Sequence, residues 1–435
     1  MSDVAAEAPP REVAPLRVLL LSPLPGVDPP SGDVTYTKQL LAAPPPGVSY
    51  TTYDQAIGDG RLVELGTRAA VAQAKSADRA IQWLIAGARK AEHLLRRSGL
   101  LFREPVRVFR VKADEFDLVH VHVFHHRFLG SHPPVIASAG GPLRWVYADA
   151  WGWSEHRLLL ATGFDRLLGL LWDATMCGSR PGRVDLFIAP SDYLRRWLLS
   201  RGWPGAGIAV QSNYLAGPVS EPPSRLGRSP RTLGFIARDF NAKGGPDVLM
   251  AYERLRRRHP ELDLRIVGSP PLLSPTEQIQ AGVRWDDEVD RDRLLSEVLP
   301  QIDLLVYPSR FDTGVPYSAM EALAFGIPAV VSDYASLPDL VAGGAGRVSR
   351  LGDVESIVAA VEELLETTAW AKASDAAYRR FLNAFSSGSQ SPRLGALYRS
   401  ALASKPEPAP IAADTSVRCS VRQHGGNQAS GDEHS

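Results

Sequence analysis

Residues 310–333 read RFDTGVPYSAMEALAFGIPAVVSD. A carboxylate, Asp312, precedes a Gly/Pro turn, and a second, Glu321, stands at what reads as the start of a helix. The tight turn Gly326-Ile327-Pro328 then leads into the apolar run Ala329-Val330-Val331. Just upstream, Asp303-Leu304-Leu305-Val306-Tyr307 is a short apolar run that stops at Pro308-Ser309. Strand, acidic turn, helix, turn and strand in that order predict a βαβ unit of a parallel sheet. Ligands of such sheets gather beyond the carboxyl ends of the strands, which is where Asp312 falls. A helix N-terminus favours anions, so Glu321 taken alone reads as an ordinary first-turn acid, and as a ligand group only with company elsewhere in the same half.

The same alternation runs through the rest of the chain. Leu16 to Ser22 predicts a buried strand, followed by the loop PLPGVDPPSGD and a helix from about Val34 to Ala43. Phe116–Phe124, Val135–Ser138, Asp185–Ala189 and Ile208–Val210 read as further strands, with a helix between the last two ending near Ser200. Residues 216–231, rich in Pro, Ser and Arg, have little to bury and read as a linker. The pattern then restarts with strands at Leu233–Ala237 and Leu264–Val267, and with helices at Pro246–His259 and Val354–Glu366. The expected architecture is α/β, with two Rossmann-like, doubly wound parallel-sheet domains facing a cleft. We place a disordered N-terminus at 1–14, a first domain at 15–215, the linker at 216–231 and a second domain at 232–385. A C-terminal helix at 386–404, its core from about Ser391 to Ala403, and a disordered tail at 405–435 complete the chain.

Composition narrows the function. The chain has 435 residues, enough for two domains of ordinary size. Its 48 basic residues balance 48 acidic ones, which gives no overall preference for nucleic acid. Two cysteines, Cys177 and Cys419, supply neither a disulfide scaffold nor a cysteine-rich zinc site. The first residues, MSDVAAEAPPREVAPL, lack a signal-peptide pattern, and no apolar run reaches membrane-span length. The expected location is the cytoplasm.

In the second half, a basic residue, Arg238, ends the strand in Phe235-Ile236-Ala237-Arg238-Asp239-Phe240-Asn241-Ala242-Lys243-Gly244-Gly245, and a second, Lys243, follows five residues later. Two cations and two glycines between a strand end and a helix start suit a diphosphate, whose charge they neutralise and whose departure they stabilise. The same residues alone also fit two solvated surface cations. Neither GxxxxGK[ST] nor GxGxxG occurs here, so ordinary NTPase and dinucleotide readings lack support.

Taken in order, the motifs resemble a retaining GT-B glycosyltransferase of glycosyltransferase family 4. They are SGD at 31–33, DLVHVH at 117–122, APSDYL at 189–194, SNYL at 212–215, AR…KGG at 237–245, IVGS at 266–269 and YPSRFD…MEALAFGIPAV at 307–330. The resemblance covers roughly residues 16–400 and lies in the order and spacing of motifs that are individually weak. It implies transfer of a sugar from a nucleoside-diphosphate donor to an acceptor hydroxyl of a glycan, glycolipid or small molecule, with retained anomeric configuration. Through it, Arg238 and Lys243 are the diphosphate pair, Asp312 contacts the donor sugar and Glu321 takes the ribose hydroxyls. The amides of Thr313, Gly314 and Val315 face sugar and phosphate, and Gly268 and Ser269 line the base pocket with the strand near Val283. Gly32 belongs to the donor side, and Asp33, His122 and His125 are candidates on the acceptor side. No metal and no cofactor are implied, because the Arg/Lys pair carries the charge. The chain departs from the family pattern in having Asp at position 312, one residue further from Glu321, and no His near Ala139. A sugar-nucleotide epimerase of the same fold and a non-catalytic sugar-nucleotide binder are the alternatives.

Two features stay open. Residues 61–112 carry twelve Lys/Arg against four Asp/Glu, a local balance of +8 in a neutral chain. Leu84, Ala88, Ala91 and Leu95 form a helical stripe there, with Arg89, Lys90, Arg96 and Arg97 off it. This reads either as a surface for anionic membrane or as a helix packed on the domain with its cations in solvent. The aromatics Trp145, Tyr147, Trp151 and Trp153 read either as stacking partners for an acceptor sugar or polyprenyl chain or as a lid.

Overall fold

The structure, a computed structural model, describes residues 14–26, 31–97, 106–123, 126–139, 154, 156, 160, 184–200, 203–217, 229–268, 282–287, 289–310, 312 and 314–403. The aromatic group Trp145, Tyr147, Trp151 and Trp153 lies outside the described residues, as do most of the linker, residues 1–13 and the tail.

The first sheet is built from β1 (Leu16–Leu21), β2 (Val48–Thr52), β5 (Leu118–His122), β7 (Val135–Ser138), β8 (Leu186–Ala189) and β9 (Ile208–Val210), in the order β2-β1-β5-β7-β8-β9. All its pairings are parallel. A small sheet of β3 (Leu62–Leu65), β4 (Arg107–Val111) and β6 (His126–Phe128) lies beside it, with β3 antiparallel to β4. The second large sheet holds β10 (Thr232–Ile236), β11 (Asp263–Val267), β12 (Val283–Asp286), β13 (Leu304–Tyr307), β14 (Ala329–Ser332) and β15 (Gly346–Ser349). Its order is β12-β11-β10-β13-β14-β15, again parallel throughout.

Strands buried on both faces read as continuous apolar runs, and β1, β8, β13 and β14 do so. The helices that matter below are α1 (Gly32–Ala42), α2 (Ser76–Arg97), α3 (Asp192–Ser200), α4 (Gly245–Arg258), α5 (Tyr317–Ala324), α6 (Val354–Leu365), α7 (Thr367–Ala384) and α8 (Ser387–Ala403). One face of the second sheet packs with α4 and α6 around Phe235, Tyr252 and Val361. The other packs with α5 and α7 around Leu305, Met320 and Phe381. Burial on both faces makes the sheet doubly wound.

The chain crosses between the sheets at 211–217 and 385–390. Leu215 N–H donates to the Phe385 carbonyl at 2.9 Å, and Ser387 N–H donates to the Leu215 carbonyl at 2.9 Å. Beyond this crossing α8 returns to the first sheet, where Leu394, Tyr398 and Ala401 join the cluster formed by Val18, Tyr36 and Leu118. It begins at Ser387, a turn before the expected Ser391, with Pro392 inside it. The extra turn is held by Ser386, whose hydroxyl accepts from Ser389 N–H at 3.3 Å.

The stripe expected on residues 76–97 is rotated. Leu84 and Ala91 face solvent, and the buried side chains are Gln82, Ile85 and Glu92. Tertiary demand explains the difference. Gly66 N–H needs the Gln82 amide oxygen (2.6 Å), Val106 N–H needs Glu92 (2.9 Å), and Glu64 takes Arg89 at 2.7 Å. Buried donors without partners cost more than an exposed leucine, so the polar face turns inward.

Candidate active site

The order of the second sheet reverses between β10 and β13, and ligand crevices open at such switch points. The loop after β10 carries Arg238, Lys243, Gly244 and Gly245, and the loop after β13 carries Asp312, Gly314 and Val315. Lys243 Nζ lies 2.6 Å from Asp312 Oδ1, both side chains being largely buried. Tyr307 donates its hydroxyl to the other Asp312 oxygen at 3.1 Å. Gly244 makes this approach possible. Its φ is +86°, and a Cβ there would stand 2.5 Å from the Pro308 carbonyl oxygen. Gly268 closes β11 under similar pressure, with φ +135° and the Ala237 carbonyl oxygen 1.8 Å from an added Cβ. Arg238 is exposed on the same loop, while Val315 is buried in the core beneath. Thr313 and Ser269 lie outside the described residues.

Glu321 is not at a helix start. It sits in the second turn of α5, whose N-terminus is set by Pro316, and its side chain is buried. Its Oε1 accepts from Arg291 Nε at 2.9 Å. Burial raises the Glu321 carboxyl above its ordinary range, against the opposing pull of Arg291. Arg291 escaped the sequence reading because the stretch RWDDEVDRDR looks like charged surface. Its neighbour Asp290, a capping residue that accepts from Arg293 N–H at 2.8 Å, was the available signal for an ordered turn.

The first sheet reverses between β1 and β5, and a second crevice forms there. Gly32 and Asp33 belong to the first turn of α1 rather than to the preceding loop. Ser31 caps that turn by accepting from Val34 N–H at 3.2 Å, which fixes the start two residues before the expected one. Asp33 Oδ1 is 3.1 Å from Nε2 of His122, the last residue of β5. His122 Nδ1 and His120 Nε2 each lie 2.8 Å from the Ser138 hydroxyl. His120 Nδ1 meets the Tyr398 hydroxyl at 2.7 Å, and Tyr398 meets Tyr50 at 2.9 Å. His120 and His122 share a strand face, as period-two geometry requires. His125 lies outside the described residues.

A carboxylate has no proton to give, so Asp33 sets the direction of this chain. His122 donates its Nε2–H to Asp33, and its Nδ1 faces the Ser138 hydroxyl. Ser138 in turn accepts from His120 Nε2–H, and His120 Nδ1 accepts from Tyr398, which accepts from Tyr50. Burial, with His122 adding to it, pushes His120 down to about 3, so its ring is neutral near pH 7. Burial works to raise the Asp33 carboxyl, but its hydrogen bond and charge interaction with His122 outweigh this and hold it below the ordinary range. Tyr36 stacks on the His122 ring at 4.0 Å between centroids.

The two crevices approach each other. An added Cβ on Gly314 would stand 3.2 Å from Pro190, the residue after β8. Tyr317, at the start of α5, packs against the cores of both large sheets. Burial first, then Tyr36, Tyr214 and Asp33, drive its hydroxyl pKa up, while Arg291 acts against them. That hydroxyl is buried and has no hydrogen-bond partner among the described residues. Sequence reasoning missed Tyr317, which stands between Pro316 and Ser318.

Residues 230–367, which contain the whole charged crevice, match the family described as glycosyl transferases group 1. They form a glycosyl transferases group 1 domain. Over 182 residues the chain is 29% identical to the MMP alpha-(1->4)-mannosyltransferase of Mycolicibacterium hassiacum, covering 40% of this chain and 44% of that one. The chain thus spans less than half the length of that curated relative. Sucrose-phosphate synthase from Thermosynechococcus elongatus shares the fold with a TM-score of 0.59 at 14% identity, over 89% of this chain and 99% of that one. Anabaena HepE, solved with UDP-glucose, does so with a TM-score of 0.53 at 12% identity, over 88% and 100%. The fold is GT-B. In the group 1 domain it places the Lys243 and Asp312 loops at the sheet's switch point. No described helix is long and apolar enough to cross a membrane.

Proposed function

We propose that the protein is a retaining glycosyltransferase that moves a hexosyl group from a nucleoside-diphosphate sugar to an acceptor hydroxyl. The observation that carries this reading is the Lys243–Asp312 ion pair at the β10/β13 switch point, beside the backbone laid bare by Gly244. An incoming diphosphate replaces Asp312 as the partner of Lys243, and Arg238 on the same loop adds a second cation. Asp312, released, accepts from hydroxyls of the donor sugar. Glu321 takes two adjacent ribose hydroxyls, a good match for a carboxylate. The amides of Thr313, Gly314 and Val315 face sugar and phosphate, and Gly268 and Ser269 border the base. Residues 232–385, which hold most of the group 1 match, are the donor half and 15–215 the acceptor half, with Gly32, Asp33 and His122 at the meeting of the two.

In the transfer, the bond from the anomeric carbon to the β-phosphate oxygen breaks and a bond to the acceptor oxygen forms on the same face. The acceptor proton passes to the departing diphosphate. Arg238 and Lys243 stabilise the charge that grows there, so the reading calls for no metal and no cofactor. Asp33, held ionised by His122, accepts the hydrogen bond that orients the acceptor hydroxyl. The pathway it fits is polysaccharide or glycoconjugate synthesis.

A thermal-shift screen against UDP-, GDP-, ADP- and dTDP-sugars tests the donor half. A ligand at a hundred times its dissociation constant adds about 2.7 kcal/mol to stability. One nucleotide class should stabilise the protein, and Glu321→Ala should abolish the shift. Turnover with a hydroxyl acceptor should then give a product whose anomeric proton coupling matches the donor's. Inverted product, or isomerised donor formed without acceptor, would defeat the reading.

A further inference from the structure

Helix α2 is turned inside out. The side chains it buries are Gln82, Ile85 and Glu92, and Arg89 of the same face reaches Glu64 at 2.7 Å. Toward solvent it presents Trp83 at 59%, Leu84 at 74% and Leu94 at 69% exposure. Gly87 and Ala91 continue that stripe at helical spacing, and both are exposed. Arg79, Lys90 and Arg97, spaced by eleven and seven residues, return to one edge of it and are exposed as well. Single exposed leucines need no explanation, but an apolar stripe along a helix with a cationic edge does.

The helix is fixed to the protein by its polar side. Gln82 and Glu92 satisfy the Gly66 and Val106 amides, and Ile85 presses on Gly66, where an added Cβ would stand 2.5 Å from Ile85 Cγ2. An apolar medium cannot replace those hydrogen bonds, so the helix offers its outer face without leaving the fold. Charge selects the medium. The surrounding segment, 61–112, carries a balance of +8 in a chain of no net charge. An interfacial helix with Trp and Leu on one face and Lys/Arg beside them lies in the plane of a membrane with its apolar side among the acyl chains. We infer that α2 is a membrane-docking helix that seats on an anionic lipid surface through Trp83, Leu84 and Leu94, with Arg79, Lys90 and Arg97 at the headgroups. This is independent of the transfer reaction, and it presents the protein to acceptors that reside in or on a bilayer.

The test is co-sedimentation of the full chain with phosphatidylcholine vesicles, with and without about one-third phosphatidylglycerol. Binding should require the anionic lipid and weaken when salt is raised from about 0.1 to about 0.5 M. Replacing Arg79, Lys90 and Arg97 together by Gln should lower the partition coefficient on the order of a hundredfold, about fivefold per charge. The triple variant Trp83→Ser, Leu84→Ser, Leu94→Ser should lose vesicle binding yet stay folded, with only a small fall in unfolding temperature, because all three side chains are mostly in water. Failure of the parent to bind anionic vesicles overturns the proposal, as does binding that the Ser variant retains. A dimer in solution that the Ser variant alone dissolves overturns it in favour of a second copy as the occupant. Donor-induced thermal shifts, read on the same samples, report the transfer site separately.

Discussion

At the β10/β13 crevice the polar side chains come in opposite charges, Lys243 with Asp312 and Arg291 with Glu321. At the β1/β5 crevice a single carboxylate, Asp33, ends a chain of hydroxyls and imidazoles. The contrast bears on what each can exchange. An anionic ligand can take over Lys243 from Asp312, and no buried charge is stranded, since sugar hydroxyls can then meet Asp312. The chain of hydroxyls and imidazoles has no such exchange. Each member satisfies the next, and removing one leaves buried atoms unpaired. The first crevice is therefore suited to binding and release, the second to holding one geometry.

The largest effect expected from this contrast is at Lys243. Lys243→Ala should lower kcat on the order of a thousandfold, the loss typical of one donor to a developing negative charge. Steady-state kinetics with saturating donor and acceptor would show it, and a drop under tenfold would mean that the pair does not face the leaving group. Next is Glu321→Ala, which should weaken donor binding on the order of a hundredfold by calorimetry, the loss of charged hydrogen bonds, with acceptor KM unmoved. Equal weakening of donor and acceptor would show that the Glu321–Arg291 pair is structural.

On the other side, Asp33→Asn should lower kcat by about tenfold, one hydrogen bond's worth, and leave donor affinity as it was. A change in donor affinity instead would erase the distinction between the crevices. The smallest effect is on stability. His120 titrates near 3 when folded against 6.5 when free. As pH falls, the unfolded chain takes up its proton first. The contribution is thus whole above about pH 6.5 and drains away toward pH 3, by at most ~1.4 kcal/mol per pH unit. Urea unfolding at several pH values should give a shallower acid slope for His120→Phe than for the parent. The comparison uses slopes because that variant also removes one hydrogen bond each from Ser138 and Tyr398. Identical slopes would mean that His120 takes up its proton alike in the folded and unfolded chain.

Several elements were not legible in the sequence, each for a nameable reason. Strand β2, VSYTT, is at a sheet edge with one apolar flank, and β15, GRVS, is an edge of four residues. Neither has the run of Val, Ile and Leu that marked β1, β8 and β13, because only the inner strands are covered on both faces. Strands β3 and β4 lie inside the basic segment, where charge hid their alternation. The rotated face of α2 and the pairing of Glu321 with Arg291 depend on groups far apart in sequence.

By itself the sequence determined the doubly wound architecture, since apolar runs alternating with helical periods have one economical packing. It also determined the glycine at 244, the places of Lys243 and Asp312 in loops that follow strands, and that of His122 on a strand. The tertiary structure alone decided which of these meet. It joined Lys243 to Asp312 and Asp33 to His122, brought Tyr398 from the last helix under β5, and turned α2 polar side inward. Local propensity sees neighbours three or four residues away, whereas buried donors and charges must find partners wherever the fold brings them. In this chain those partners stand as much as 348 residues apart, the separation of Tyr50 and Tyr398.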